Sequence, residues 1–293
     1  MYFFTTPKIA IRGQKHSLRK WLYFAVEIPF KVCYNSLTRK KALLQEGTLF
    51  CNGCLLTKGV WKVSGRQVKS KQRVADHGEV FTAEREVKAM CDLVKPETER
   101  IDSRFLEPAC GEGAFLTEIL RRKLAVVKRQ YGKSPADYEK YSVIAITSLY
   151  GVDILEDNAE ICRQKLFEIW DAEYTATAKS QASDQCRSVV KFILRKNILC
   201  GDALTMEQSD GSPIVFAEWS LITGNLIKRR DFRLDVLLKE NPDDSLYDSQ
   251  LSLFGEEANA TANWVIDPVT KEPIPAPVRE YPPTDYRRLA DNA

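Results

Sequence analysis

Two glycines and a preceding carboxyl group form the strongest chemical signal in the sequence. Gly111 and Gly113 lie in the string FLEPACGEGAFL, between an apolar segment typical of a strand and one typical of a helix. Small residues at such a turn let a ligand approach the backbone and the amides that begin the helix. A dinucleotide fingerprint needs a third glycine where Leu116 stands, so the turn disfavours a pyrophosphate.

Three acidic residues follow the ends of successive predicted strands: Glu107, Asp153 and Asp202. Because the carboxyl ends of parallel strands meet at one edge of a sheet, we expect these side chains near the glycine turn. Carboxylates suit the ribose hydroxyls and the amine of a nucleotide-like ligand without phosphates. The glycines by themselves are equally compatible with an ordinary tight turn and surface acids.

The elements around these residues alternate between helix and strand. Apolar spacing predicts a helix from Val87 that stops at Pro96, a strand over 104–107 and a helix whose apolar face begins at Phe115. A second strand is expected within 143–152, followed by a helix over 162–174 and a third strand ending near Cys200. This order predicts an α/β fold, the front half of a doubly wound parallel sheet.

Four motifs in this order resemble those of S-adenosylmethionine-dependent adenine-N6 DNA methyltransferases of restriction-modification systems. FLEPACGEGAFL is similar to their D-P-A-C-G-S-G-x-F-L motif, and RVADHGEVFT to the preceding G-x-x-F/Y-T motif. YGVDILEDNAEICRQKL and NILCGDAL resemble the second-strand and third-strand motifs. The resemblance implies a Rossmann-like class I methyltransferase sheet, with ribose bound by Asp153 and the adenine amine by Asp202. The implied S-adenosylmethionine contacts are Gly78, Phe81, Thr82, Glu107, Pro108, Gly111, Gly113, Asp153 and Asp202.

The catalytic motif of that family is only partly present. The family grips the target amine with N-P-P-Y, whose aromatic ring stacks on the flipped base. Gly224 and Asn225 align with the start of this motif, but Leu226, Ile227 and Lys228 replace the prolines and the aromatic residue. Asn225 is thus the one candidate catalytic residue. The 68 residues after it are too few for the rest of the sheet and a target-recognition domain, so the fold is expected to be incomplete.

These motifs lead to one favoured function and two alternatives. The favoured function is an enzyme, the adenine-specific DNA methyltransferase component of a restriction-modification system, with DNA and a second restriction-modification chain as partners. The first alternative is an inactive or truncated S-adenosylmethionine-binding subunit that binds DNA or a partner chain. A small-molecule or RNA methyltransferase is the second, because the cofactor half does not define the acceptor.

Charge divides the chain into three segments. Residues 1–73 form a basic N-terminal extension with net charge +13, which suits polyanions but could equally be a stretch upstream of the true start. Residues 74–234 form the predicted cofactor-binding domain, which ends in a basic run at Lys228, Arg229, Arg230 and Arg233. That run is compatible with phosphate binding or with a solvated surface. Residues 235–293 form an acidic, proline-rich tail of net charge −7, predicted to be mostly loop.

The tail and the cysteines carry weaker signals. QLSLF, made of Gln250, Leu251, Ser252, Leu253 and Phe254, resembles the peptide by which bacterial replication proteins dock on the DNA sliding clamp; packing on the domain itself is the alternative. Cys51 and Cys54 form a lone C-x-x-C without further ligands at a familiar spacing, so no metal is predicted. The eight scattered cysteines are expected to be reduced and buried. No long apolar run or secretory signal is found, which favours a cytoplasmic protein without a membrane partner.

Overall fold

The computed structural model of the chain describes residues 82–237 and 273–292, together with Trp21–Tyr23, Arg73 and Trp264–Ile266. Its α-helices are α1 (Glu84–Leu93), α2 (Lys95–Thr98), α3 (Ala114–Tyr131), α4 (Pro135–Thr147), α5 (Glu156–Ala178), α6 (Asp184–Asn197) and α7 (Leu234–Leu237). Its strands are β1 (Trp21–Tyr23), β2 (Arg104–Glu107), β3 (Leu149–Asp153), β4 (Ile198–Cys200), β5 (Val215–Thr223), β6 (Leu226–Arg233), β7 (Trp264–Ile266), β8 (Pro273–Pro275), β9 (Arg279–Glu280) and β10 (Thr284–Asp285). Two 3₁₀ segments span Lys179–Gln181 and Tyr286–Asn292.

A parallel sheet forms the centre of the described chain, in the order β1-β2-β3-β4. Glu107 is opposite Gly151 in the pairing of β2 with β3, and Asp153 is opposite Cys200 in the pairing of β3 with β4. The predicted α/β class and the parallel sheet are therefore confirmed. The residues that follow β2, β3 and β4 meet at one edge, which we call the carboxyl edge.

Helices α3 to α6 cover one face of this sheet because each presents an apolar stripe to it. Leu116, Leu120 and Leu124 of α3 are buried, and so are Leu166 and Trp170 of α5. Fully burying such a side chain is worth about 1.5 to 3 kcal/mol, so these stripes hold the helices on the sheet. Caps define where two of the helices begin: the hydroxyl of Ser134 accepts from Asp137 N at the start of α4, and that of Ser183 from Cys186 N at the start of α6.

Several element boundaries differ from the predicted ones. The helix expected to stop at Pro96 ends at Leu93, and Pro96 lies instead in the first turn of α2, where its missing N–H costs nothing. The apolar run 143–152 is divided, because its first half belongs to α4 and β3 starts only at Leu149. Phe192 and Ile193, apolar residues just before the predicted third strand, are buried within α6. A buried helix and a buried strand share the same apolar pattern over such short runs.

A second, antiparallel sheet made of β5, β6, β9 and β10 lies against the other face. Leu106, Tyr150 and Val152 point away from the helices and pack with Ile214 and Phe216. The hydroxyl of Tyr150 donates to the carbonyl of Ala217 at 3.0 Å, which fixes β5 across the parallel strands. Among the described residues, β4 is thus followed by this hairpin and not by a further strand of the parallel sheet.

The end of the tail is structured. Strands β9 and β10 pair with β6, and the side chains of Tyr286 and Leu289 are buried against the main core. The described parts of the tail include α7, strands of two or three residues and the 3₁₀ segment Tyr286–Asn292, and residues 238–263 and 267–272 lie outside the described residues, so the prediction of a mostly loop tail stays a prediction. In the described part of the chain, no helix is long and apolar enough to cross a membrane.

Candidate functional site

The glycine turn joins β2 to α3 at the carboxyl edge. Gly111 has a φ of 52° and Gly113 a φ of 84°, a left-handed backbone that favours glycine. The two glycines differ in their surroundings, because a Cβ on Gly113 would lie 2.6 Å from Cys162 Sγ whereas a Cβ on Gly111 would meet nothing within 4 Å. Gly113 therefore lets α3 approach α5 closely, and Gly111 leaves open space above the turn.

Asp153 lies next to this turn although it is 42 residues away in sequence. One carboxylate oxygen accepts from Gly111 N at 2.8 Å, and the other accepts from Leu155 N at 2.9 Å and from Asn158 Nδ2 at 3.2 Å. Asp153 thus holds the glycine turn against the end of β3. Three of its roughly four acceptor positions are in use, so a ligand diol could add few bonds without displacing one of these donors.

Glu107 ends β2 and is buried with 4% of its surface exposed. Its Oε2 has no hydrogen-bond partner among the described residues. Burial raises the pKa of Glu107 to about 8, and a hydrogen bond from the Ala109 backbone opposes this shift only in part. A buried carboxyl group with one unpartnered oxygen needs an explanation, and a cationic ligand group is one. Pro108 follows it and is half-buried.

Asp202 lies two residues after β4 on the same edge and is half-buried. Its Oδ1 accepts from Leu204 N at 2.8 Å, an arrangement typical of an Asx turn. Two apolar side chains beside these acids were not among the predicted site residues: Ile154 is 57% exposed and Leu204 is 67% exposed. Each of them follows one of the predicted acids by one or two residues, which was the signal that could have identified them.

A cavity of about 300 Å³ lies in the groove between α1 and the first turns of α3. Its lining includes Thr82, Thr117 and Ala114, which is the residue directly after Gly113. Opposite charges face it, with Lys88 bound to Glu84 at 2.6 Å and Arg121 nearby. The cavity is therefore polar and adjoins the glycine turn, but Glu107, Asp153 and Asp202 do not line it.

Asn225 lies in a different place. Strand β5 starts beside Ile214, which packs on Val152 near the carboxyl edge. It then passes Glu218, which pairs with Arg104 at the start of β2 at 2.7 Å. The hairpin turn at 224–225 follows beyond that opposite edge, and Asn225 is exposed there. The structure thus does not bring Asn225 together with the glycine turn, because β5 runs antiparallel to the strands that carry the other predicted site residues.

The basic run after Asn225 is engaged in ion pairs. Each of its cations contacts an acid: Lys228 with Glu280, Arg229 with Asp231, Arg230 with Glu218 and Arg233 with Asp235, at 2.7 to 2.9 Å. Arg229 and Arg230 are also buried. A cation whose charge is neutralised inside the protein attracts a phosphate only weakly, which disfavours phosphate binding at Arg229 and Arg230. Lys228 and Arg233 are partly exposed within their ion pairs, as expected for a solvated surface.

Several predicted features lie outside the described residues: Gly78, Phe81, Cys51, Cys54, nearly all of the basic extension, and 250–254 with the clamp-like peptide. Of the described cysteines, Cys91, Cys110, Cys162 and Cys186 are buried, Cys200 is half-buried, and all five are free thiols. Within the described ranges, no group of three or more potential ligands could hold a metal ion. Comparison of the chain with models of protein families, with curated proteins and with solved structures gives no match.

Proposed function

We propose that this chain binds S-adenosylmethionine at the carboxyl edge of its parallel sheet, as the cofactor-binding component of an adenine-N6 DNA methyltransferase. The observation that carries the proposal is the hydrogen bond from Gly111 N to Asp153. It joins the two motifs on which the resemblance most depends, at the edge where ligands of open α/β sheets bind. The glycines are thereby part of a built turn, with open space above Gly111.

The surrounding residues fit the chemical groups of this cofactor, which supplies a methyl group bound to a positively charged sulfur. The buried Glu107, whose Oε2 is unpartnered in the described structure, suits an ammonium group. The exposed side chains of Ile154 and Leu204 suit the faces of an adenine ring. The ammonium group belongs to the amino-acid end of the cofactor, so the adjoining polar groove beside Thr82, which Glu107 does not line, is left for the carboxylate of that end. We assign Asp202 to the adenine amine, as the resemblance implies.

A second candidate function is favoured by the position of Asn225. Gripping an adenine amine beside the cofactor requires groups at the carboxyl edge, and the hairpin turn lies beyond the opposite edge. Transfer to adenine would therefore need catalytic residues from a second chain or from outside the described residues. Without them, the chain would be a cofactor-binding subunit that acts by binding DNA or a partner chain.

Calorimetry with S-adenosylmethionine tests the cofactor site. Asp153→Ala removes the carboxylate that holds Gly111 and that we assign to the ribose hydroxyls. We therefore expect at least a 10-fold loss of affinity for S-adenosylmethionine, as for the loss of one or two charge-assisted hydrogen bonds. Asp184→Ala is the matched control, because the side chain of Asp184 is 96% exposed on α6. Absence of binding at roughly millimolar ligand, or equal affinity of the Asp153 variant and the parent, would refute the site.

A methyl-transfer assay with duplex DNA tests the second candidate. We expect the purified single chain to transfer little or no methyl group, because Asn225 lies beyond the opposite edge of the sheet and cannot hold the amine in line with the methyl group. Efficient methylation of adenine by the chain without a partner would exclude the non-catalytic alternative. Asn225→Ala serves there as the control, since a group remote from the reacting atoms should leave the activity unchanged.

A further inference from the structure

The outer surface of α6 carries cations that have no acidic partner. Lys191 and Arg195 are exposed, and Lys196 follows them half-buried. None of the three forms an ion pair within the described residues. Arg187, one turn earlier, is different because it is held by Asp171 at 2.7 Å and by Asp184 at 2.9 Å. We call Lys191, Arg195 and Lys196 the α6 basic stripe.

The spacing of two cations in the α6 basic stripe matches that of phosphates in a regular polyanion. Lys191 and Arg195 are four residues apart, so they lie on one side of the helix about 6 Å apart along its axis. Each strand of a nucleic acid duplex carries a negative charge about every 3.4 Å of its axis, and neighbouring phosphates lie farther apart than this rise because the backbone also winds around the axis, so the two cations can contact neighbouring phosphates of one strand. The one acid of α6, Asp184, is at the far end of the helix and is bound to Arg187.

The surroundings of the stripe disfavour single strands and apolar partners. Single-strand binding uses exposed aromatic rings for base stacking. Here the Nζ of Lys191 lies 4.5 Å from the centroid of Phe167 and covers its ring, and Phe192 is buried. The exposed large apolar side chains of the described chain lie elsewhere, none of them on α5 or α6, so neither a membrane nor an apolar protein surface is matched.

We propose that the α6 basic stripe binds the phosphodiester backbone of a nucleic acid duplex. Because α6 covers the helical face of the sheet, this contact is separate from the carboxyl edge and does not depend on S-adenosylmethionine. Backbone contacts of this kind position a protein on a duplex without reading its sequence.

Fluorescence anisotropy of the full chain with a labelled duplex tests this proposal across a salt series. Lys191→Gln with Arg195→Gln should reduce the affinity at least 10-fold at about 0.1 M salt. The slope of log affinity against log salt should become shallower by about 1.8, since each lost phosphate contact accounts for about 0.9. Duplex DNA and duplex RNA are compared as separate ligands, with a single strand of the same length.

The matched control is Arg129→Gln with Lys133→Gln, which removes the same charge from exposed positions at the end of α3. It should change the affinity less than about 3-fold and leave the salt slope unaltered. Equal losses of affinity for the two double variants would show that only net charge matters, which would overturn the proposal. No loss for the α6 pair, no duplex binding by the parent, or tighter binding of the single strand would also overturn it. Calorimetry with S-adenosylmethionine on the same variants shows whether the cofactor site is intact, so that failure of duplex binding is distinguished from failure of the cofactor site.

Discussion

At the scale of single residues, Glu107 and Asp153 show how two carboxyl groups on neighbouring strands acquire different chemistry. Asp153 accepts three hydrogen bonds from the turn and from its own loop. Glu107 is buried with one oxygen unpartnered among the described residues. Burial raises the pKa of Glu107 and favours its neutral form, because the one backbone donor at Ala109 offsets the loss of water only in part. The first residue organises the turn, and the second is available to change its protonation state.

Glu107 should make the free energy of unfolding depend on pH. With its folded pKa raised to about 8, the folded state binds more protons than the unfolded state from about pH 4.5 upward, so stability is highest in acid and falls toward pH 8. The loss is at most roughly 5 kcal/mol, from the size of the shift. Urea unfolding at a series of pH values should show this fall in the parent.

Glu107→Gln should remove that fall, because an amide of the same shape does not titrate. The two proteins are best compared below pH 7. Burial lowers the pKa of Lys123 to about 7, so above this pH Lys123 makes the free energy of unfolding rise with pH, opposite to the effect of Glu107. Parallel stability curves for the two proteins between pH 5 and 7 would contradict the assignment of a raised pKa to Glu107.

At the scale of elements, the glycine turn decides how closely α3 packs on α5. Gly113→Ala should destabilise the protein by about 2 to 4 kcal/mol, because a left-handed backbone and a methyl group 2.6 Å from Cys162 Sγ both oppose it. Gly111→Ala shares the left-handed backbone but meets no neighbour, so about 1 kcal/mol is expected. Thermal and urea unfolding measure both.

Cys162→Ala provides the control for this explanation. In that background the added methyl group gains space, so Gly113→Ala should cost less than in the parent, whereas the cost of Gly111→Ala should not change. Equal costs for the two glycine substitutions in the parent would show that close packing at Gly113 does not matter.

The β5–β6 hairpin is the element that changes the functional interpretation most. Its buried Glu218 is bonded to Arg104 of β2 and Arg230 of β6, which fixes the hairpin at the amino end of the parallel strands. Any other direction of the hairpin would separate Glu218 from its two arginines. A buried charge without a partner is costly, so these ion pairs hold the hairpin in its observed direction. The turn with Asn225 is therefore kept beyond that edge.

At the scale of the whole molecule, the end of the tail closes the fold. The buried carboxylate of Glu139 on α4 accepts from the hydroxyls of Tyr174 and Tyr286 and from Arg287 Nε. The backbone N of Tyr286 also donates to the carbonyl of Asn225 at 2.9 Å. The last described residues thus join α4, α5 and the hairpin turn, although they are more than 140 residues from Glu139 in sequence.

Substitutions at Tyr286 test this closure. Tyr286→Phe should cost about 1 to 3 kcal/mol, since it removes one donor to a buried carboxylate. Tyr286→Ala should cost about 3 to 5 kcal/mol because it also leaves a cavity in the core. Arg288→Ala is the control, as its side chain is 68% exposed and should contribute at most about 1 kcal/mol. If urea unfolding shows no effect of Tyr286→Ala, the tail does not pack on the core.

The sequence by itself determined what depends on neighbouring residues along the chain. Strand β2 was predicted with its observed bounds over 104–107, and the apolar stripes of α3 and α5 followed from their helical spacing. The meeting of the glycine turn and Asp153 at one edge also followed, because consecutive parallel strands bring their carboxyl ends together. These features are local or follow from a topological rule.

Only the tertiary structure decided the direction of β5 and the surroundings of the charged residues. An apolar strand reads the same in either direction along the sheet that it packs on, and here the contacts of Tyr150 with Ala217 and of Arg104 with Glu218 between the two sheets fix β5 antiparallel to β2 and β3. For the same reason, the basic run after Asn225 could not be recognised as a set of ion pairs. Asp231 and Asp235 lie two residues from their arginines, whereas Glu218 and Glu280 come from β5 and β9, and only the fold brings those two to Arg230 and Lys228.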